Sequence, residues 1–249
     1  MHINKKEIGR FARQLILQDF NEKKQKDIFE THITFIGLGG INSPAIVYLL
    51  YAGIRNITII DNDVVKESNL NRQILYGEKD LGKNKAITAK KFLKRINPKS
   101  KIYIHNKKFN KKNCSKLIKK TNLVLDGTDN WDTMLNINDY CVNKNIPLLT
   151  SSITGYDGNL ILFENNKKKH LCLRCIFPNE EEVDLPRCET VGVLGTAAGI
   201  IGLLSAHKII NYLIMDKKIK PEIIYFDGKN IDIKRINIYK NPNCKLLKK

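Results

Sequence analysis

A β-branched apolar run, His32-Ile33-Thr34-Phe35-Ile36, leads directly into Gly37-Leu38-Gly39-Gly40, and Ser43 and Pro44 follow near the first turn of a predicted helix. A glycine turn between strand and helix lets backbone N–H groups approach phosphates, and the helix N-terminus adds positive potential. Gly37, Gly39 and Gly40 are therefore candidate nucleotide-binding residues. The dinucleotide fingerprint asks for a third glycine at position 42, where this chain has Asn42, which weakens a nicotinamide-cofactor reading. Asp61 ends the next predicted strand, 24 positions after Gly37, where a carboxylate commonly takes ribose hydroxyls.

Three further segments narrow the chemistry: Ser68-Asn69-Leu70-Asn71-Arg72-Gln73, Gly82-Lys83-Asn84-Lys85 and Asp126-Gly127-Thr128-Asp129-Asn130. Cations beside a strand-end carboxylate suit nucleotidyl transfer, which must neutralise phosphates and a leaving pyrophosphate; hydride transfer has no such need. An aspartate at the carboxyl edge of the sheet is a candidate Mg²⁺ ligand, with the ion bridging phosphate oxygens.

Six cysteines occur, and only Cys172 and Cys175 form a CxxC pair. Such a pair is either redox-active or half of a zinc site. Cys114 and Cys141 lie within predicted helices and read as core or partly buried residues. Cys188 follows a polar, acidic stretch from Pro178 to Pro186; a crossover loop there would expose it, and Arg187 beside it would lower its pKa.

Alternating strands and helices position these groups. Helices are expected at 8–17, 43–52, 84–96, 114–119, 131–142 and 195–215. Strands are expected at 32–36, 56–60, 102–105, 123–126 and 147–150, then at 159–163, 223–226 and 231–238 around the last long helix. The first half predicts an α/β, Rossmann-like, doubly wound and mostly parallel sheet, and the second half an antiparallel C-terminal extension. No repeat or Gly/Ser/Pro-rich linker divides the chain, so one domain over 1–249 is expected. Within it we distinguish an N-terminal helical arm (1–30), a nucleotide-binding part (31–150) and a part for the partner and metal (151–249).

The formal net charge of +18 first suggests an anionic partner. It comes from 35 lysines and only 8 arginines, spread in small clusters such as Lys107-Lys108 and Lys111-Lys112 without interleaved aromatic platforms. Dispersed surface charge is the expectation, with no nucleic acid as partner. The apolar stretch from Val191 to Ala206 stops at His207-Lys208, short of the roughly 20 residues a span requires, so a buried helix and no membrane contact are expected. Basic residues after Met1 are not followed by an apolar region, so no secretory signal is expected. The expected compartment is the cytoplasm or an organelle stroma, where disulfides are not expected.

The chain resembles the ubiquitin-activating-type adenylyltransferases, specifically the ThiF and MoeB enzymes that activate small sulfur-carrier proteins, with ThiF the closer. The resemblance spans nearly the whole chain. It rests on Arg10-Phe11-Ala12-Arg13-Gln14, the glycine turn, Asn69-Leu70-Asn71-Arg72-Gln73, Asp126-Gly127-Thr128-Asp129-Asn130, Cys172-Leu173-Arg174-Cys175 and Arg187-Cys188-Glu189-Thr190. It implies a homodimer that uses ATP and Mg²⁺ to attach AMP to the C-terminal Gly-Gly carboxylate of a ubiquitin-like carrier. Gly37, Gly39 and Gly40 would approach the phosphates, Asp61 would hold the ribose, Asn69, Arg72, Gln73 and Lys85 would contact phosphates, and Asp129 would bind Mg²⁺. Arg13 would be donated by the partner subunit's N-terminal helix, and Cys188 would join the carrier covalently during sulfur transfer.

The same family closes a zinc site with a second, C-terminal CxxC. Here Cys244-Lys245-Leu246-Leu247 places Leu247 where the fourth thiolate belongs. Cys172, Cys175 and Cys244 plus water, recruitment of His170, and loss of Zn²⁺ all remain open. The pathway implied is thiamine thiazole biosynthesis on a ThiS-like carrier, because Asp227-Gly228-Lys229 resembles ThiF. A MoaD-like carrier for molybdopterin is the alternative. No sulfurtransferase domain is expected after Lys249, so a cysteine desulfurase or other donor would supply sulfur. A nicotinamide-dependent oxidoreductase and a non-catalytic relative are the readings from other classes.

Overall fold

The strands follow the β-branched runs closely. In the computed structural model, which describes residues 3–165, 171–178, 191–215 and 220–247, β1 (His32–Ile36) lies between β2 (Asn56–Ile60) and β4 (Leu123–Asp126), parallel to both. β3 (Lys101–His105) extends the parallel set beyond β2, and β5 (Leu148–Thr154) extends it beyond β4. Then β6 (Asp157–Phe163), β7 (Glu222–Asp227) and β8 (Asp232–Asn237) add antiparallel. The order is β3-β2-β1-β4-β5-β6-β7-β8 in one eight-stranded sheet. The expected parallel half and antiparallel extension are both present.

Helices cover the faces. α3 (Asn42–Ala52) buries Ala45, Ile46, Leu49 and Leu50 against the sheet and against a long helix, Gly195–Ile214. α4 (Lys85–Ile96) begins at Asn84, whose side chain accepts from the Ile87 N–H. Asn130 caps α6 (Trp131–Lys144) in the same way through the Thr133 N–H. α5 (Cys114–Leu117) and α7 (Leu173–Ile176) are single turns, and the long helix, α8, follows. Among the described residues α8 is the one helix long and apolar enough to cross a membrane. It has 20 residues, longer than the apolar stretch read from sequence because it continues through His207 and Lys208. Half of its most apolar window is buried inside the protein, and Ile201, Ile209 and Tyr212 face the core.

Two departures from the expected elements occur at the N-terminus. α1 spans Lys5–Leu15, opened by an Asn4–Glu7 capping box, and leaves Ile16 and Leu17 exposed in the turn beyond it. α2 (Glu22–Glu30) was not expected, since only Ile28 and Phe29 punctuate a polar run; Asn21 caps it, and it buries Gln25 with those two residues. β5 also runs to Thr154, four residues past the expected end, because Ser151–Thr154 pair with β6.

The helical arm docks at the end of the sheet away from the glycine turn. Arg55 pairs with Glu7 at 2.8 Å and stacks on Phe29 at 3.5 Å, while Phe11 meets Phe29 edge-on at 5.0 Å. A half-buried ion pair that also stacks on a ring contributes more than a surface pair. Arg55→Ala is expected to cost about 2 kcal/mol, read as a lower urea midpoint at unchanged slope. An unchanged midpoint would contradict this docking.

Candidate functional site

The glycine turn sits where the carboxyl ends of β1, β2 and β4 meet, the ligand position of an open α/β sheet. A left-handed backbone at Gly37 (φ +76°) lets the chain leave β1, and a side chain there would press on the Gly127 carbonyl. The Leu38 N–H donates to Asp61 Oδ2 at 2.7 Å, and the Asp63 N–H donates to Asp61 Oδ1 at 2.8 Å. Burial holds the Asp61 carboxyl above the usual carboxylate range, against the pull of those two N–H donors. No side chain caps α3, but the Ser43 N–H already donates to the Gly39 carbonyl at 3.0 Å and Pro44 has none, so the N–H groups offered to an anion are those of Gly39, Gly40 and Ile41, which line the cleft ahead of the helix.

A cleft of about 870 Å³ opens over this turn, enough room for a nucleoside triphosphate. Its walls include Gly37, Gly39, Gly40, Asp61, Asn69, Arg72, Gln73, Lys85 and Asp129. Every cofactor-binding residue expected from the sequence therefore lies on one cavity. Arg72 crosses Gly40, where an added Cβ would meet Arg72 Cγ at 3.1 Å; its guanidinium donates to the Ser68 carbonyl at 2.6 Å. Gln73 is buried with Oε1 unpartnered, and Asn69 accepts from the Lys66 N–H at 3.1 Å. Lys85 makes an ion pair with Asp63 at 3.2 Å, but the partners differ: the Lys85 side chain is 7% exposed and that of Asp63 64%. The lysine is thus fixed at the cavity wall, and the aspartate is free to move away from it.

The Asp126-to-Asn130 segment divides its labour. Asp126 is fully buried and accepts from the Thr128 N–H and hydroxyl, which shapes the turn. Asn130 caps α6. Asp129 remains exposed on the cleft, with no ion pair among the described residues. Asp63, the other exposed carboxylate on the cleft, pairs with Lys85, so Asp129 is the unpaired one and fits Mg²⁺, which is typically held by one or two carboxylates plus substrate phosphates.

Lys107 and Lys108 correct the reading of all lysine clusters as dispersed surface charge, because both line the cleft beside Phe109. Their position just after β3 was the available signal, since loops at strand carboxyl ends face the ligand in this topology. Lys66 also lines it. Arg13 is exposed on α1 and does not line the cleft of its own chain. Cys188, Arg187 and His170 lie outside the described residues.

The second site is a thiol cluster. Cys172 Sγ lies 3.9 Å from Cys175 Sγ and 3.8 Å from Cys244 Sγ, and all three cysteines are buried. Thiolates at about 2.3 Å around a tetrahedral ion sit about 3.8 Å apart, so the three sulfurs fit Zn²⁺. The hydrogen bond between the Cys172 and Cys175 sulfurs pulls Cys175 down, while that same bond and burial push Cys172 up; burial pushes Cys244 up. α6 holds the cluster in place: Asn138 accepts from the Leu173 N–H at 2.9 Å, and Arg174 makes two 2.7 Å bonds to Asp139. Cys141 and Cys114 stand apart, the former fully buried with its thiol pushed up by burial.

The ThiF family model matches residues 11–246. The chain belongs to the ThiF family. One member of similar length, the sulfur carrier protein ThiS adenylyltransferase of Escherichia coli K12, is 31% identical over 97% of this chain and 96% of that one. The adenylyltransferase and sulfurtransferase MOCS3 of Drosophila persimilis is 35% identical over 96% of this chain, which spans only 53% of its length. This ThiF-family chain thus spans about half the length of the MOCS3 relatives it matches. Among solved structures, Escherichia coli MccB with ATP superposes with a TM-score of 0.83 at 21% identity, over 96% of this chain and 75% of that one, which shows a shared fold.

Burial pushes the Asp126 carboxyl up to about 6 from 3.8. The folded state therefore binds a proton that the unfolded state has already released across that interval. Stability should fall as pH rises from about 4 to about 6, by up to about 3 kcal/mol. Asp126→Asn should flatten that part of the profile in urea titrations at stepped pH, and an identical slope in both proteins would contradict the assignment.

Proposed function

We propose that this chain adenylates the C-terminal Gly-Gly carboxylate of a small ubiquitin-like sulfur-carrier protein, consuming ATP and releasing pyrophosphate. The observation that carries the reading is the cleft. One cavity gathers the glycine turn, the ribose-directed Asp61, the cations Arg72, Lys85, Lys66, Lys107 and Lys108, and an exposed Asp129. Family membership and the names of its relatives support the same chemistry.

In this reading Asp61 accepts from ribose hydroxyls with the lone pairs left after its two backbone bonds. The N–H groups of Gly39, Gly40 and Ile41 and the side chains of Asn69, Arg72, Gln73 and Lys85 hold the phosphates in line. Asp129 and the phosphates would hold Mg²⁺, which would spread the charge of the leaving pyrophosphate. The carrier carboxylate is already ionised at neutral pH, so no side chain has to remove a proton. Positioning and charge neutralisation supply the rate.

The enzyme acts as a homodimer in this account, because Arg13 does not reach its own cleft and serves the partner's. Residues 151–249 hold the carrier, 31–150 the nucleotide, and 1–30 form the arm that carries Arg13, all within one domain. Cys188 takes the carrier covalently after adenylation, its sulfur bonding to the carrier's terminal carbonyl carbon as the bond to AMP breaks and AMP and the thiol proton leave, and a cysteine desulfurase or another donor supplies sulfur in the cytoplasm or an organelle stroma. Zn²⁺ on Cys172, Cys175 and Cys244 has a structural role, tying the C-terminal segment to α6. We assign a ThiS-like carrier and thiamine thiazole biosynthesis, with a MoaD-like carrier as the second reading. Asp227 gives little support to that choice, since its carboxylate accepts from the Lys229 and Asn230 N–H groups and so builds the β7–β8 turn.

Carrier-dependent ATP–pyrophosphate exchange should fall at least about 100-fold in Asp129→Ala. Arg13→Ala should lose most activity alone, yet mixing it with Asp129→Ala subunits should restore about a quarter of wild-type exchange, because each mixed dimer has one intact site. No recovery on mixing would place Arg13 outside the partner's site. Purified protein should contain one zinc per chain by metal analysis and none in Cys172→Ser; zinc-free wild-type protein would contradict the thiol assignment.

A further inference from the structure

The residue at the third-glycine position, Asn42, is fully buried. Its Nδ2 donates to the Gly37 carbonyl at 2.7 Å and to the Ile36 carbonyl at 3.3 Å. Both neighbours are acceptors, so the NH₂ must face them whichever way the amide is drawn. Its Oδ1 is left buried without a partner, a cost that the contact with the turn must offset.

The Gly37 carbonyl and the Leu38 N–H belong to one peptide unit. Asn42 holds the oxygen of that unit at 2.7 Å, and Asp61 holds its N–H at 2.7 Å. The peptide is planar and rigid, so fixing both ends fixes its rotation about the strand axis. That rotation sets where the next N–H groups of the turn point. The following carbonyl, that of Leu38, accepts from the Tyr76 hydroxyl at 3.4 Å.

Asn42 has space only because position 127 is glycine. A Cβ on Gly127 would lie 2.6 Å from Asn42 Cγ and Nδ2 and 2.8 Å from Oδ1. The amide is tethered and cannot swing clear. The Gly127 N–H also donates to the Ile36 carbonyl at 3.1 Å, the oxygen that Asn42 approaches. The two turns, one after β1 and one after β4, therefore touch backbone to backbone, and Asn42 is the side chain packed between them.

We propose that Asn42 is a positioning residue matched to Gly127, clamping the Gly37–Leu38 peptide so that the turn presents its N–H groups to the nucleotide. Its catalytic consequence rests on the adenylyl-transfer reading, whereas the clamp does not. A glycine at position 42 leaves the peptide to Asp61 alone. An aspartate there keeps the shape but turns a carboxylate oxygen toward two carbonyl oxygens.

The test uses the full chain, with hydrogen exchange at the Leu38 amide and ATP affinity measured in parallel. At pH 8, Asn42→Asp should exchange Leu38 at least about tenfold faster and bind ATP at least about tenfold more weakly, with partial recovery at lower pH as the new carboxyl is protonated. A purely volume-filling role predicts no change in this isosteric variant. Should Asn42→Asp fail to fold, Asn42→Gly and Gly127→Ala should each show the same two losses. The double variant Asn42→Gly/Gly127→Ala should then bind ATP better than Gly127→Ala, because the new methyl enters the vacated space, giving non-additivity between touching sites. Unchanged Leu38 exchange in every position-42 variant, or ATP affinity unchanged when Leu38 is released, would overturn the proposal. A double variant no better than Gly127→Ala would overturn its matching to Gly127. Wild-type protein that protects Leu38 through Asn42 but supports no carrier-dependent exchange would sustain the clamp and remove the adenylyl-transfer reading.

Discussion

One peptide plane, between Gly37 and Leu38, is held at both ends, and the shape of the turn that lines the cleft follows from it. The chain must leave β1 through a left-handed residue, and the backbone after it has no regular hydrogen-bond ladder to fix it. Asp61 from the end of β2, Asn42 from the first turn of α3 and Tyr76 from the segment before α4 supply that definition. Each is buried, and each reaches the turn from a different element. The parallel register of β1 with β2 and β4 places their carboxyl ends side by side. The cations could not face a common centre without it.

The two sites share α6. Its N-terminus begins at Asn130, beside Asp129 on the cleft, and its middle turn presents Asn138 and Asp139 to the thiol-bearing α7. The bidentate Arg174–Asp139 pair orients the CxxC turn with charge-assisted bonds. Metal held by Cys172, Cys175 and Cys244 would then tie the C-terminal segment to the same helix that frames the cleft. The charged surface reads differently as a result. Most of the +18 is spread over the molecule, but Lys66, Lys107 and Lys108 are concentrated where phosphates are expected.

Much of this was legible in the sequence because it is local. Short apolar runs marked β1, β2 and β4 to the residue, and α4 and α6 were legible to within two residues at each end. The glycine turn, Asp61 and the Asn69-to-Gln73 segment lie near one another in the chain, and their convergence follows from a β-α-β unit. α2 was hidden because its burial rests on Gln25 and two apolar residues, which no helical stripe reveals. The pairing of Asn42 with Gly127 joins residues 85 positions apart. Sequence showed Asn42 only as a missing glycine; its role appears once the two turns are seen in contact. Lys107 and Lys108 were lost in a chain where lysine is everywhere, and only their place after β3 distinguishes them.

Adenylation of a carrier tail is the central claim, and the acyl-adenylate is its direct product. Intact-mass spectrometry of a Gly-Gly-terminated carrier, incubated with this protein, ATP and Mg²⁺, reads it without any coupled step. The account predicts a carrier heavier by one AMP, converted to the hydroxamate by hydroxylamine and absent when the terminal glycine is removed. A carrier of unchanged mass beside a folded protein that binds ATP would contradict it.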